Sequence, residues 1–169
     1  GAMSCASPKL NQKTVGKTKS TDPLLIFFTS GTESYPKMVL HTHAYPLAHI
    51  VTAKFVDDLH STDLHLAVAD TGWAKTAFGK LFGQWICGAA VLQRNPIGGF
   101  NPKITLSVIE RFGVTTFCAS PSVYRMLIQE DLSSYDLENL RLSLCAGEPL
   151  TAEIVKAWKE GTGLEIYEF

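Results

Sequence analysis

The sequence predicts an α/β fold in which a mostly parallel sheet is flanked by helices. Short apolar runs recur along it, as LLIFF (24–28), LHLAVA (64–69), VTTFCA (114–119) and RLSLCA (141–146), and VTTFCA is rich in β-branched and aromatic residues. Amphipathic stretches of about 10–15 residues separate most of these runs, the spacing of β-α-β units. Hydrophobic residues make up 46% of the 169-residue chain and charged residues 18%, a composition that builds a core and excludes a disordered chain.

Residues 1–22 read as a leader. Gly1, Ala2 and Met3 resemble an expression scar, and the polar residues after them carry Lys9, Lys13, Lys17 and Lys19 up to Asp22-Pro23. LLIFF is a buried-strand candidate at the head of the domain, 23–169, and KMVLH (37–41) follows a Gly/Ser/Thr loop. Leu47, Ile50, Val51 and Phe55 fall at helical spacing over about 44–55. A strand at 64–69 breaks at DTGW, and 74–86 suits a helix despite Gly79 and Gly83. AAVLQ (89–93) is a strand, RNPIGGFNP (94–102) a loop, and 103–112 a helix. After the strand 114–119, Ser120 and Pro121 open a helix over 121–131 as its cap and first-turn residue. The strand 141–146 turns at GEPL into a helix opened by Thr151, and LEIYEF starts one more strand.

Fifteen Lys and Arg against sixteen Asp and Glu give a formal charge of −1. Binding to long nucleic acid then has no global driving force, and neither has attachment to an anionic membrane. No apolar run approaches the roughly 20 residues a spanning helix needs. Cys5, Cys87, Cys118 and Cys145 lack CxxC spacing, so reduced thiols in a cytoplasmic protein are expected, with the mitochondrial matrix as the alternative. His41, His43 and His49 have no carboxylate or cysteine pattern around them, and no metal site is expected there. Asp57, Asp58 and Asp63 read as a solvated helix end and loop.

The richest stretch is FFTSGTESYPKMVLHTH, 27–43. Thr29, Ser30, Gly31 and Thr32 put three hydroxyls and a flexible backbone at the end of an apolar strand; Glu33, Ser34, Tyr35, Pro36 and Lys37 complete the loop. Hydroxyls and main-chain N–H groups donate to phosphate oxygens, and a lysine adds a mobile positive charge. A plain polar turn is the alternative, since Ser, Thr and Gly are ordinary turn formers. The loop is not a Walker A motif, because Lys37 sits between Pro36 and Met38 instead of following a glycine.

TSGTESYPKM followed by HTH resembles the phosphate loop of the adenylate-forming superfamily. Met38 after the lysine, ADTGWAK (69–75) and AGEPL (146–150) narrow the likeness to the acetyl- and medium-chain acyl-CoA synthetases. The resemblance covers about 22–169 and implies an internal fragment of the large N-terminal domain, an AMP-binding domain cut at both ends and expected to be inactive alone. The parent would join a short- or medium-chain carboxylate to ATP, with Mg²⁺, and pass the acyl group from the adenylate to coenzyme A. Its partners would be these small molecules and the remainder of the enzyme chain, without nucleic acid or membrane insertion. By similarity the 29–37 loop would hold the β- and γ-phosphates, Gly147, Glu148 and Pro149 would lie along adenine, and Trp73 would line the acyl pocket. No catalytic acid or base is assignable. A strand-to-helix turn at 147–149 and an ordinary core role for Trp73 are the structural alternatives.

One departure stands inside the loop. Glu33 and Ser34 occupy places where the family usually has a hydroxyl residue and then glycine. A carboxylate about 4–6 Å from a phosphate costs about 3–4 kcal/mol at an effective dielectric near 20. Weakened ATP binding is therefore expected, and a catalytically dead homologue acting as a nucleotide-binding or interaction module is the alternative function.

Overall fold

The structure is a computed structural model that describes residues 16–29, 35–69, 74–94 and 98–169. They divide between Tyr45 and Pro46 into two compact units.

The first unit is a hairpin. β1 (Pro23–Thr29) pairs antiparallel with β2 (Lys37–Thr42), with Phe27 opposite Val39 and Thr29 opposite Lys37. LLIFF was expected to be a buried strand; the structure corrects this. Its side chains alternate: Leu25 and Phe27 are half-buried while Ile26 (53%) and Phe28 (67%) face solvent. A continuous apolar run suits a strand covered on both faces, but a ribbon of two strands follows the period of two. Phe27 packs edge-on against His41, with ring centroids 5.4 Å apart, and against Tyr45. The end of the leader is tied to this hairpin, because the Asp22 carbonyl accepts the His43 N–H at 3.0 Å.

α1 (Tyr45–Phe55), which belongs to the second unit from Pro46 onward, takes its expected place, with Ala53 its buried residue and Leu47, Val51 and Phe55 exposed. Five parallel strands follow: β3 (Leu64–Ala67), β4 (Ala90–Val91), β5 (Thr116–Ala119), β6 (Leu142–Cys145) and β7 (Ile166–Glu168), in the order β4-β3-β5-β6-β7. The predicted parallel sheet is present, flanked by helices. The helix expected over 74–86 is α2 (Ala74–Thr76), a π-helical turn (Ala77–Phe82) and α3 (Gly83–Ile86) in succession.

α4 (Pro102–Phe112) begins where Asn101 accepts the Ile104 N–H at 3.0 Å and ends at Gly113, whose φ of 62° favours glycine. α5 (Pro121–Leu127) starts at Pro121, but Ser120 makes no capping bond with its side chain, a correction to its expected role. α5 is also shorter than 121–131; Asp131 instead caps a 3₁₀ turn at Leu132–Ser134. α6 (Ala152–Thr162) stops at Gly163 (φ 76°). Among the described residues no helix is long and apolar enough to cross a membrane.

Alternation sorts the sheet into two faces. Leu66, Phe117, Ala119 and Cys145 meet Tyr124 and Trp158 in the main core, while Ala67, Cys118 and Leu144 form a smaller cluster. The main core holds an aromatic trio: Tyr124 stands perpendicular to Trp158 at 5.0 Å and Phe117 lies 5.5 Å from Tyr124. Their polar tips are satisfied, Trp158 Nε1 donating to Ser143 Oγ at 3.0 Å and Tyr124 OH to the Leu144 carbonyl at 3.0 Å.

The amino-terminal edge of the sheet is locked by charge. Arg141 donates Nε to Asp63 Oδ1 (2.9 Å) and Nη2 to Asp63 Oδ2 (2.6 Å), and its Nη1 reaches Asp58 (2.9 Å). Thr115 donates its hydroxyl to Asp63 at 2.7 Å, so residues beside three neighbouring strands share one carboxylate. Burial would raise the Asp63 pKa, but bonds from Arg141, the His60 N–H and Thr115 outweigh it and hold the carboxyl at about 2. Asp63 is 4% exposed and Asp57 5%, so neither is the solvated loop residue expected; Asp58 is exposed.

Asp57 differs from Asp63 in lacking compensation. Its Oδ1 has no hydrogen-bond partner among the described residues, and burial pushes its pKa up to about 6 against the pull of Lys75. An acid raised in the folded state contributes stability that is present below pH 3.8 and lost as pH rises through about 6. Asp57→Asn removes that loss. Urea unfolding of variant and parent between pH 4 and pH 7 is expected to move in the variant's favour by about 2 kcal/mol.

Candidate functional site

The strand order fixes where a ligand site belongs. From β3 the chain leaves through α2 and α3 to β4, and it then returns past β3 through α4 to β5. His65 on one sheet face meets Gly79 of the π-helical turn, whereas Ile109 of α4, which enters β5, and Tyr124 of α5, which leaves it, pack with Leu66 and Phe117 on the other. Connections therefore leave β3 and β5 on opposite faces, and the crevice between their carboxyl ends is the topological switch point at which ligands collect in open α/β sheets.

Two lysines that sequence reasoning did not single out sit at this edge. Lys80 is 4% exposed and donates Nζ to the Ala69 carbonyl at 3.1 Å. Lys75 donates Nζ to the Ala146 carbonyl at 3.5 Å and also reaches the Cys118 thiol. Their signal was present as lysines in the otherwise apolar AKTAFGKLF (74–82), where burial demands a partner. Burial pushes the Cys118 thiol up to about 11 despite Lys75, which makes it a poor nucleophile. Behind them the buried His65 places Nε2 3.0 Å from the Gly79 carbonyl and Nδ1 2.8 Å from Thr116 Oγ1. A carbonyl only accepts, so Nε2 carries the proton and Nδ1 accepts from Thr116. Burial lowers this imidazole to about pKa 4, so it is neutral at pH 7 and serves as a strut between sheet and helix.

The expected site residues are divided between the two units. Gly147, Glu148 and Pro149 are exposed directly after β6, and Gly147 takes φ 105°, a conformation that favours glycine. Glu148 Oε2 accepts the Ser122 hydroxyl at 2.5 Å, and the Leu150 N–H donates to Glu168 Oε1 at 3.4 Å. In the hairpin unit the Thr29–Lys37 pair closes the connecting loop, with Tyr35, Pro36 and Lys37 exposed. Ser30, Gly31, Thr32, Glu33, Ser34 and Trp73 lie outside the described residues.

A sheet with such a switch point, its carboxyl edge carrying a glycine-bent exposed loop, is a doubly wound α/β unit of the ligand-binding kind. The family model for "AMP-binding enzyme" matches residues 3–169, and the chain belongs to that family. It is 42% identical over 153 residues to the human (Homo sapiens) mitochondrial acyl-coenzyme A synthetase ACSM3, a match covering 90% of this chain and 26% of that protein. Among solved structures, the anthranilate CoA ligase AuaEII in complex with anthranoyl-AMP superposes with a TM-score of 0.77 at 33% identity, over 88% of this chain and 29% of that one. A Brucella canis acyl-CoA synthetase gives 0.77 at 31% identity, over 88% and 27%. The chain thus spans about a quarter of the length of the curated relative.

Proposed function

We propose that this chain is the nucleotide-gripping part of an acid–thiol ligase that activates a short- or medium-chain carboxylate. In the first step a carboxylate oxygen bonds to the α-phosphorus of ATP and the bond to pyrophosphate breaks. In the second, the thiol sulfur of coenzyme A bonds to the acyl carbon, AMP leaves with the carboxylate oxygen, and the thiol proton passes to solvent. The observation that carries the reading is the Thr29–Lys37 pair, which brings the two ends of a sequence stretch of Ser, Thr and Gly together and places a lysine at one of them. Membership of the AMP-binding family and the ligase names of its relatives support it.

Within that reading the loop 29–37 binds the β- and γ-phosphates, with Ser30, Thr32, Ser34 and Tyr35 as further donors beside Thr29. Lys37 acts electrostatically on the leaving pyrophosphate without transferring a proton. Gly147, Glu148 and Pro149 lie along adenine, and Trp73 lines the acyl pocket after the β3 end. Among the described residues no three His, Cys, Asp or Glu side chains converge to hold a metal ion. Mg²⁺ would enter with the ATP phosphates, where it neutralises their charge. A mitochondrial location, as in the name of the human relative, becomes the favoured compartment over the cytoplasm.

ATP–pyrophosphate exchange by the full-length protein over a panel of C2–C12 carboxylates tests the proposal. Carboxylate-dependent exchange is expected; none with any acid overturns it. The second reading, a catalytically dead nucleotide-binding module, is favoured by Glu33 and Ser34. Calorimetric titration separates the loop's contribution: Glu33→Thr with Ser34→Gly is expected to tighten ATP binding by about tenfold or more. Equal affinities would dispose of the penalty assigned to Glu33.

A further inference from the structure

The loop after β6 is fixed from outside as well as by its own glycine and proline. Ala146, at its start, is held through its carbonyl by Lys75 of α2; Leu150, at its end, is held through its N–H by Glu168 of β7. Between them Glu148 accepts the Ser122 hydroxyl at 2.5 Å, a short charge-assisted bond from the second residue of α5. Three elements thus grip five successive residues. The middle grip is the shortest, and it acts on the residue between Gly147, whose backbone is in the left-handed region, and the rigid Pro149. Free of that bond, the exposed Glu148 side chain would let the Gly147 peptide sample both signs of φ.

We propose that Ser122 is a positioning residue for nucleotide binding: by holding Glu148 it fixes the peptide plane of Gly147–Pro149 against which an adenine ring lies. The proposal rests on the ligase reading for the identity of the ligand, whereas the clamp itself rests on the geometry alone. Ser122 touches neither phosphate nor acyl group in this scheme, so its removal acts on one substrate selectively.

The test uses the full-length protein and its Ser122→Ala and Ser122→Thr variants. Without ligand, amide hydrogen exchange over 146–150 is expected to quicken in Ser122→Ala and to return to the parent rate in Ser122→Thr, with the exchange of β5 and β6 unmoved. In pyrophosphate exchange the KM for ATP is expected to rise about three- to tenfold in Ser122→Ala. The KM for the carboxylate stays where it was, and threonine restores the ATP value. Unchanged amide exchange at 146–150 overturns the clamp, and an equal rise in both KM values overturns its nucleotide selectivity. Quickened amide exchange in a protein whose parent form shows no ATP-dependent activity supports the clamp and overturns the ligase reading instead.

Discussion

Full-length protein carrying Lys37→Met is expected to lose on the order of a hundredfold in ATP–pyrophosphate exchange, the scale of removing one preorganised donor from a developing charge. Lys37 is exposed and opposes Thr29 across the hairpin. Methionine keeps the length and apolar stem of the side chain and removes only the charge and its donors. Lys37→Arg is expected to recover part of the loss, because a planar fork on a wider head fits a point-charge site imperfectly. Lys156, exposed on α6 and paired with Glu160, provides the comparison, and Lys156→Met is expected to leave the rate within twofold.

Trp158→Ala is expected to cost about 3–5 kcal/mol of stability, a large share of what a domain of this size possesses. The ring is fully buried, stacks with Phe117 at 6.4 Å and meets Tyr124 edge-on. Its deletion opens a cavity and leaves the buried Ser143 hydroxyl without the indole donor. Trp158→Phe keeps most of the packing and is expected to cost less, about 1–3 kcal/mol. Trp85, 63% exposed, gives the contrast: Trp85→Ala is expected to stay within about 0.5 kcal/mol. Urea midpoints by circular dichroism check all three, and equal shifts for Trp158→Ala and Trp85→Ala would refute the assigned core.

The sheet of the second unit was legible from the β-branched and aromatic residues of 114–119 and from the helical stretches that separate the runs; β5 is buried throughout and β6 from Ser143 to Cys145. The sequence misled at 24–28, where an apolar run lies in a two-stranded ribbon that exposes alternate side chains. Asp57 and Asp63 looked solvated because the charge that holds Asp63, Arg141, is 78 residues away in sequence. No local pattern encodes such a pairing. Glu148 was legible as part of a motif, but its restraint by Ser122, 26 residues earlier, needed the folded chain. The π-helical turn at 77–82 escaped for another reason, since its residue pattern is that of an ordinary helix.

Titration of ATP and of AMP into the full-length protein and its Lys37→Met variant puts the phosphate grip to its most direct test. AMP lacks the β- and γ-phosphates that the 29–37 loop would hold. ATP affinity is therefore expected to fall by about tenfold or more in the variant, while AMP affinity stays unchanged. An equal fall for both nucleotides, or none for ATP, would contradict the role given to Lys37 and its loop.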